Sequence, residues 1–201
     1  MRLFQLFAAL AFVMPAYGAA TVSPAFSQDV AKPDIAEQTA SQDDTLNRLF
    51  ATLKKERNAD KAKSIAAEIQ TVWRDSGSAT VNLLMQWAAD AAGEKRQAAA
   101  FDFLDQVTVL DPDYPEAWNR RAALHYVDGE TRKAMADLDQ VLTAEPRYFP
   151  ALASLAGVLE LNGHDALAMK AWEQYLALYP ADKEAQKEVQ KLSEKLAGTR
   201  S

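Results

Sequence analysis

The stretch Val109-Leu110-Asp111-Pro112-Asp113-Tyr114-Pro115-Glu116-Ala117-Trp118 ends one apolar helical run and begins another, and its first proline recurs on a fixed beat. Pro112, Pro146 and Pro180 stand 34 residues apart twice in succession, preceded by Asp, Glu and Tyr. A period of that length marks a chain built from repeated supersecondary units. Each unit holds an apolar-periodic helix, a turn with glycine or a polar pair, a second periodic helix and the closing proline. Proline lacks an amide donor and disfavours helix in the residue before it, so the chain turns at the same place each time. Such units bury their apolar faces against their neighbours and present a surface instead of an enclosed pocket, a layout suited to holding other molecules.

The slots within each period agree. Trp118, Ala122, His125, Gly129, Ala134, Leu138 and Pro146 fall in order in the middle unit. The next unit has Leu152, Leu155, Ala156, Leu159, Gly163, Ala168, Trp172 and Pro180, and the preceding one has Leu84, Trp87, Ala88, Ala91, Ala100, Leu104 and Pro112. This pattern resembles the tetratricopeptide repeat family, with Trp, Leu, Gly and Tyr on the first helix and Ala, a large residue and Pro on the second. The resemblance covers units 81–112, 115–146 and 149–180 and implies an all-α fold, an α-solenoid of antiparallel helix pairs.

Physical reasons for the slots stand beside the family pattern. Small residues at Ala88, Ala122 and Ala156 let helix backbones approach, and Trp87, Leu104, Trp118, Leu138, Leu155 and Trp172 are expected to fill the space between helices. Asp113 and Glu116 read as a capping box at the start of the middle unit. Gly129 and Gly163 suit helix ends that need a left-handed residue. Two departures share one helix: Arg121 stands where the family prefers Leu, and His125 where it prefers Tyr. An arginine at a packing slot must snorkel outward or meet a carboxylate such as Asp102 or Asp105.

On either side the pattern continues in weaker form. Leu46, Leu49, Phe50 and Leu53, then Ala62, Ile65, Ala66, Ile69 and Trp73, describe a degenerate N-terminal helix pair that ends at Arg74–Ser78 without the proline. Ala185, Val189, Leu192 and Leu196 place one apolar face on a capping helix over 182–197. The folded domain is thus expected over 43–198, with nine helices.

The N-terminus reads differently. Residues 1–27 have Arg2, an apolar run from Leu3 to Val13 broken only by Gln5, then Pro15 and small residues, the order of a secretory signal. Cleavage after residue 18, 20 or 27 fits equally. Residues 28–42 are polar, without period, and are expected to form a disordered tether. Secretion places the chain in the bacterial periplasm or outside the cell. Cleavage would leave it without membrane insertion; an uncleaved anchor is the alternative.

Composition narrows the function classes. The 201 residues carry 28 acidic and 22 basic side chains, a net charge of −6, with no basic run of the kind that phosphate backbones require, so nucleic acid is not an expected partner. No cysteine is present, which excludes a lipoprotein anchor, a disulfide and a thiolate nucleophile. His125 and His164 stand a whole unit apart, and no phosphate loop, nucleophile elbow or His-Glu metal motif occurs. Asp102 with Asp105, and Asp137 with Asp139, read as solvated outer faces. Neither catalysis nor a cofactor or metal is expected.

The family resemblance implies a concave groove lined by the first helix of each unit. The residues it brings forward are Asn82, Met85, Asn119, Arg120, Ala123, Tyr126, Gly157 and Glu160. Asn119, Ala123 and Tyr126 share one helical stripe. Asn119 can bond a peptide backbone, Tyr126 offers a ring and a hydroxyl, and Arg120 can pair a carboxylate. The flanking groove stretches supply no second cation, which argues against a clamp for a C-terminal carboxylate. The expected partner is a protein or peptide; a self-associating or anchored scaffold is the alternative. Whether the chain's own N-terminal tether occupies the groove is left open by the residues alone.

Overall fold

The computed structural model describes residues 35–198, and side chains from residue 41 onward. Within that range every element is a helix: α1 (Ile35–Leu53), α2 (Ala59–Arg74), α3 (Ala79–Gly93), α4 (Gln97–Leu110), α5 (Pro115–Val127), α6 (Thr131–Ala144), α7 (Phe149–Leu161), α8 (Asp165–Leu178) and α9 (Lys183–Gly198). The expected secretory segment, 1–27, and the first part of the expected tether lie outside the described residues. Residues 35–42 correct that expectation, since they form the first turns of α1. The run from Ile35 to Gln42 contains no Gly or Pro and is rich in Ala, Glu and Gln, so intrinsic propensity carries a helix where apolar periodicity is missing. Gln42 Nε2 then ties this end to the Asp75 carbonyl at 3.1 Å.

The pairs α3–α4, α5–α6 and α7–α8 stack in chain order, α4 on α5 and α6 on α7, with α8 on α9. The small-residue slots explain how. Ala88, Ala122 and Ala156 are buried, as are Ala100, Ala134 and Ala168, and the fully buried Leu104 and Leu138 fill the space that they leave. Gly129 and Gly163 adopt φ of +74° and +75° at the turns inside their pairs. At the matching place in the first pair Lys95 takes φ 59°, a region that costs a side-chain-bearing residue roughly 1–2 kcal/mol.

Helix α9 closes the far end. Asp182 Oδ1 accepts from the Glu184 and Ala185 amides at 2.9 and 3.2 Å, its Oδ2 accepts from the Tyr175 hydroxyl at 2.6 Å, and Leu192 is fully buried. The start of α5 differs from expectation. Its N-cap is Tyr114, without a side-chain cap bond, so Asp113 and Glu116 make no capping box. Glu116 instead accepts from Arg120 Nε at 2.7 Å and from the Tyr148 hydroxyl. Charge-assisted bonds of this kind outweigh the reach back to a backbone amide.

The N-terminal pair departs most from the constant beat. A stacked array would lay α2 on α3, yet α2 runs to α5. The Trp73 ring packs against Tyr148 and Phe149, centroids 4.4 and 5.3 Å away, and Phe50 meets Phe149 at 6.3 Å. Arg147 Nη1 donates to Asn47 at 2.7 Å while its guanidinium lies 4.9 Å over the Phe50 ring, and the Tyr114 hydroxyl donates to the Arg74 carbonyl at 2.9 Å. With α2 diverted, Trp87 is 45% exposed, resting on Phe103, and is not the space-filling residue that the pattern suggested.

Candidate functional site

Helix α5 is fixed by the arginine that the pattern made anomalous. Arg121 directs Nε and Nη2 to the two carboxylate oxygens of Asp137, at 2.9 and 2.8 Å, and Nη1 to Asp105 at 2.7 Å and Thr108 Oγ1 at 3.2 Å. Its guanidinium also lies 4.5 Å over the Trp118 ring. Hydrogen bonding to Asp137 raises the Arg121 pKa further, so the charge is permanent. Asp105 was among the expected partners. Asp137 was not: it is buried on α6, which corrects its assignment to a solvated face. Arg121 holds α4, α5 and α6 in register, and so sets the direction of the groove stripe on α5.

The residues proposed for the groove do not share one environment. Four are engaged within the protein, and a fifth, Asn119, lies outside the cleft that the remaining three line. Asn82 braces the turn before α3, donating to Asp75 at 2.9 Å and accepting from the Ser76 hydroxyl at 2.8 Å and the Ser76 amide at 3.0 Å. This bond holds the Asp75 carboxyl below the ordinary carboxylate range. Met85 is 4% exposed and packs into the core of the first two pairs. Arg120 is neutralised by Glu116 and reaches the Met85 carbonyl at 3.4 Å. Glu160 is paired with Lys191 of α9 at 2.7 Å. Asn119 is half-buried on α5.

The other three, Ala123, Tyr126 and Gly157, share one cleft of about 280 Å³ between α5, α6 and α7. Its remaining lining is Ala122, Val127, Ala134, Leu138, Ser154 and Val158. Val127 and Ser154 were missed, and the signal for both is spacing: each lies one helical step from a residue already in the stripe. Gly157 faces open space in the cleft wall. A Cβ built there would meet nothing within 4 Å, so the glycine is not demanded by close packing. Among the described residues the only polar side chains in the lining are Tyr126 and Ser154, and no charged group belongs to it. Among the described residues no group of His, Asp or Glu gathers as metal ligands do. No described helix is long and apolar enough to cross a membrane.

The cleft and the contacts of the α1–α2 hairpin fall at opposite ends of α5 and α7. Tyr114, Tyr148 and Phe149, which the hairpin meets, stand at the starts of α5 and α7, whereas Tyr126 and Gly157 lie toward their ends. No family model matches the sequence. A TPR repeat-containing protein of Rhizobium etli, however, is 50% identical over 207 residues, an alignment spanning all of this chain and 98% of the relative. The chain belongs to the tetratricopeptide repeat family. Solved structures agree on the fold of this TPR protein. The first TPR domain of Spaghetti (RPAP3), bound to the HSP90 peptide SRMEEVD, superposes with a TM-score of 0.55 at 22% identity, over 61% of this chain and 96% of that one. The Sgt2 TPR domain of Aspergillus fumigatus gives 0.55 at 19% identity, over 62% and 84%.

Proposed function

We propose that this protein is a non-enzymatic adaptor of the bacterial cell envelope that takes an apolar segment of a peptide or partner subunit into the cleft at Ala123, Tyr126 and Gly157. The observation that carries this is the cleft itself: a mid-helix glycine costs roughly 1 kcal/mol relative to alanine, and nothing in the packing around Gly157 requires it. Small, apolar lining with one tyrosine and one serine hydroxyl suits an aliphatic or aromatic side chain. The family supports the binding class, since the RPAP3 domain holds a peptide. That peptide, SRMEEVD, is acidic. Here Arg120 and Glu160 are both neutralised internally, which supports an apolar ligand instead. The envelope location rests on the secretory order of residues 1–27.

Tyr126→Ala combined with Gly157→Phe should abolish capture of the partner in crosslinking from a periplasmic fraction, with helical content unchanged. Equal capture by the variant, or no specific protein captured by the native chain, would count against binding in this cleft. Osmotic-shock release of a shortened chain is expected; a full-length chain confined to the cytosol would remove the envelope reading. A second role, self-association into a scaffold, is favoured by one observation. Leu83 and Trp87 stay exposed on α3, where a preceding repeat would sit. Sedimentation decides it, because a monomer at micromolar concentration leaves the adaptor role alone.

A further inference from the structure

We propose that α1–α2 is a built-in occupant of the groove, and that the partner is an amphipathic helix which takes its place by setting an aromatic side chain against the Tyr148–Phe149 edge. The proposal rests on the adaptor reading and specifies its partner class and regulation.

The hairpin lies where the repeat pattern would not send it. Stacking α2 on α3 would have covered Leu83 and Trp87, but the chain leaves both exposed and spends its aromatic residues on the starts of α5 and α7. That edge therefore already displays what it recognises. The occupant is an amphipathic pair with Phe50, Ile69 and Trp73 facing in, and Asp60, Lys61, Lys63, Ser64 and Glu68 facing water. Recognition by an aromatic anchor and flanking aliphatic residues is the helix-in-groove mode.

Two features make the occupant exchangeable. The Trp73 Nε1–H is buried with no acceptor among the described residues, so the docked state retains a desolvated donor that a phenylalanine or leucine anchor would not. The hairpin also joins the array through the single short turn Asp75–Ser78, where Gly77 sits at φ +73°, so its release requires only that the Asn82 bonds to Asp75 and Ser76 and the docked contacts break. Its departure would join the covered half of the groove to the cleft at Tyr126 and Gly157. A tethered occupant lowers the apparent affinity for any competitor by the fraction of time that it is docked.

The native chain has no cysteine, which gives a direct test. In full-length Asn47→Cys/Arg147→Cys protein, a cleavable bismaleimide bridges two positions whose native side chains meet at 2.7 Å and so locks the hairpin down. The probe is a fluorescein-labelled synthetic peptide of residues 41–75. Expected are binding at least ten-fold weaker to the bridged chain than to the same chain after cleavage of the bridge, and tighter binding to full-length Trp73→Ala. Equal affinity before and after cleavage would overturn the proposal, as would an unchanged affinity in a Trp73→Ala protein of native helical content. If Trp73→Ala fails to fold, the bridged comparison decides alone. The two readings separate cleanly. Bridged chain that captures the same envelope partner as native chain refutes occlusion and leaves the adaptor standing; peptide exchange as expected with no partner captured refutes the adaptor and leaves the occlusion standing.

Discussion

The Trp73 ring lies against that of Tyr148, centroids 4.4 Å apart, although four helices separate the two residues along the chain. This contact pins the hairpin to the third repeat, and Trp73 also touches Phe149 and Phe50. Trp73→Ala removes a buried ring from an aromatic cluster and should cost about 3–5 kcal/mol of local stability. Native-state hydrogen exchange checks it. Protection should fall in α1 and α2 while α5 to α8 keep theirs; a uniform loss would mean that the hairpin and the array unfold together.

The Arg121–Asp137 pair makes an opposite-sign prediction about a consensus substitution. Arg121→Leu restores the residue that the family prefers, yet it strands a buried carboxylate and should destabilise by about 3–5 kcal/mol. Asp137→Leu in the same chain should recover most of that loss. A urea-denaturation double-mutant cycle measures the coupling, and additive single effects would show that the two side chains do not act as a pair.

Lys95 stands at the turn position that glycine fills in the next two repeats, and it adopts the left-handed backbone without glycine's freedom. Lys95→Gly should therefore raise stability by about 1 kcal/mol. Gly129→Ala should lower it by a similar amount, and thermal unfolding of both variants checks the pair of signs.

Three phenols make the fold sensitive to alkali. Burial pushes the pKa of Tyr148 above its ordinary value of 10.0, and the neighbouring Glu116 carboxylate pushes it further. Burial does the same for Tyr175, aided by its bond to Asp182, and for Tyr114, aided by the charge of Glu116. The neutral form is thus favoured in the folded chain. Its stabilisation is complete below the ordinary phenol value and declines as the pH rises above about 10, by roughly 1.4 kcal/mol per pH unit for each tyrosine that stays neutral. Urea midpoints between pH 9 and 11.5 should fall along this slope, and Tyr148→Phe should make it shallower.

Gly157→Ala should stabilise α7 by about 0.5–1 kcal/mol, since the added methyl meets no atom within 4 Å. A lower midpoint in urea would show that the cleft closes in solution and that the glycine is needed for contact.

Much of the array was legible in the residues. The alanine slots, the glycine turns and the capping face of α9 each follow from chemistry within a few positions of the chain. The candidate site was legible only in part. Ala123 and Tyr126 could be placed on one stripe of α5 by helical spacing, whereas bringing Gly157 of another helix beside them needed the family resemblance. The engagement of Asn82 with Asp75, of Arg120 with Glu116 and of Glu160 with Lys191 could not, because each depends on which of several nearby charged or polar groups lies closest in space. Asp137 shows the same limit, since an aspartate two positions from another, Asp139, reads as solvated until the arginine of another helix is seen to cover it.

Local pattern sufficed for the number of helices from α3 onward, for their pairing and for the order in which the pairs stack, because a period of 34 residues repeats interactions between neighbours. The destination of α1 and α2 was a tertiary decision. Their apolar faces had two surfaces to choose from, the end face at Leu83 and Trp87 or the aromatic edge at Tyr148 and Phe149. The choice rests on the difference in burial and hydrogen bonding between two assembled surfaces, a comparison that no stretch of sequence contains.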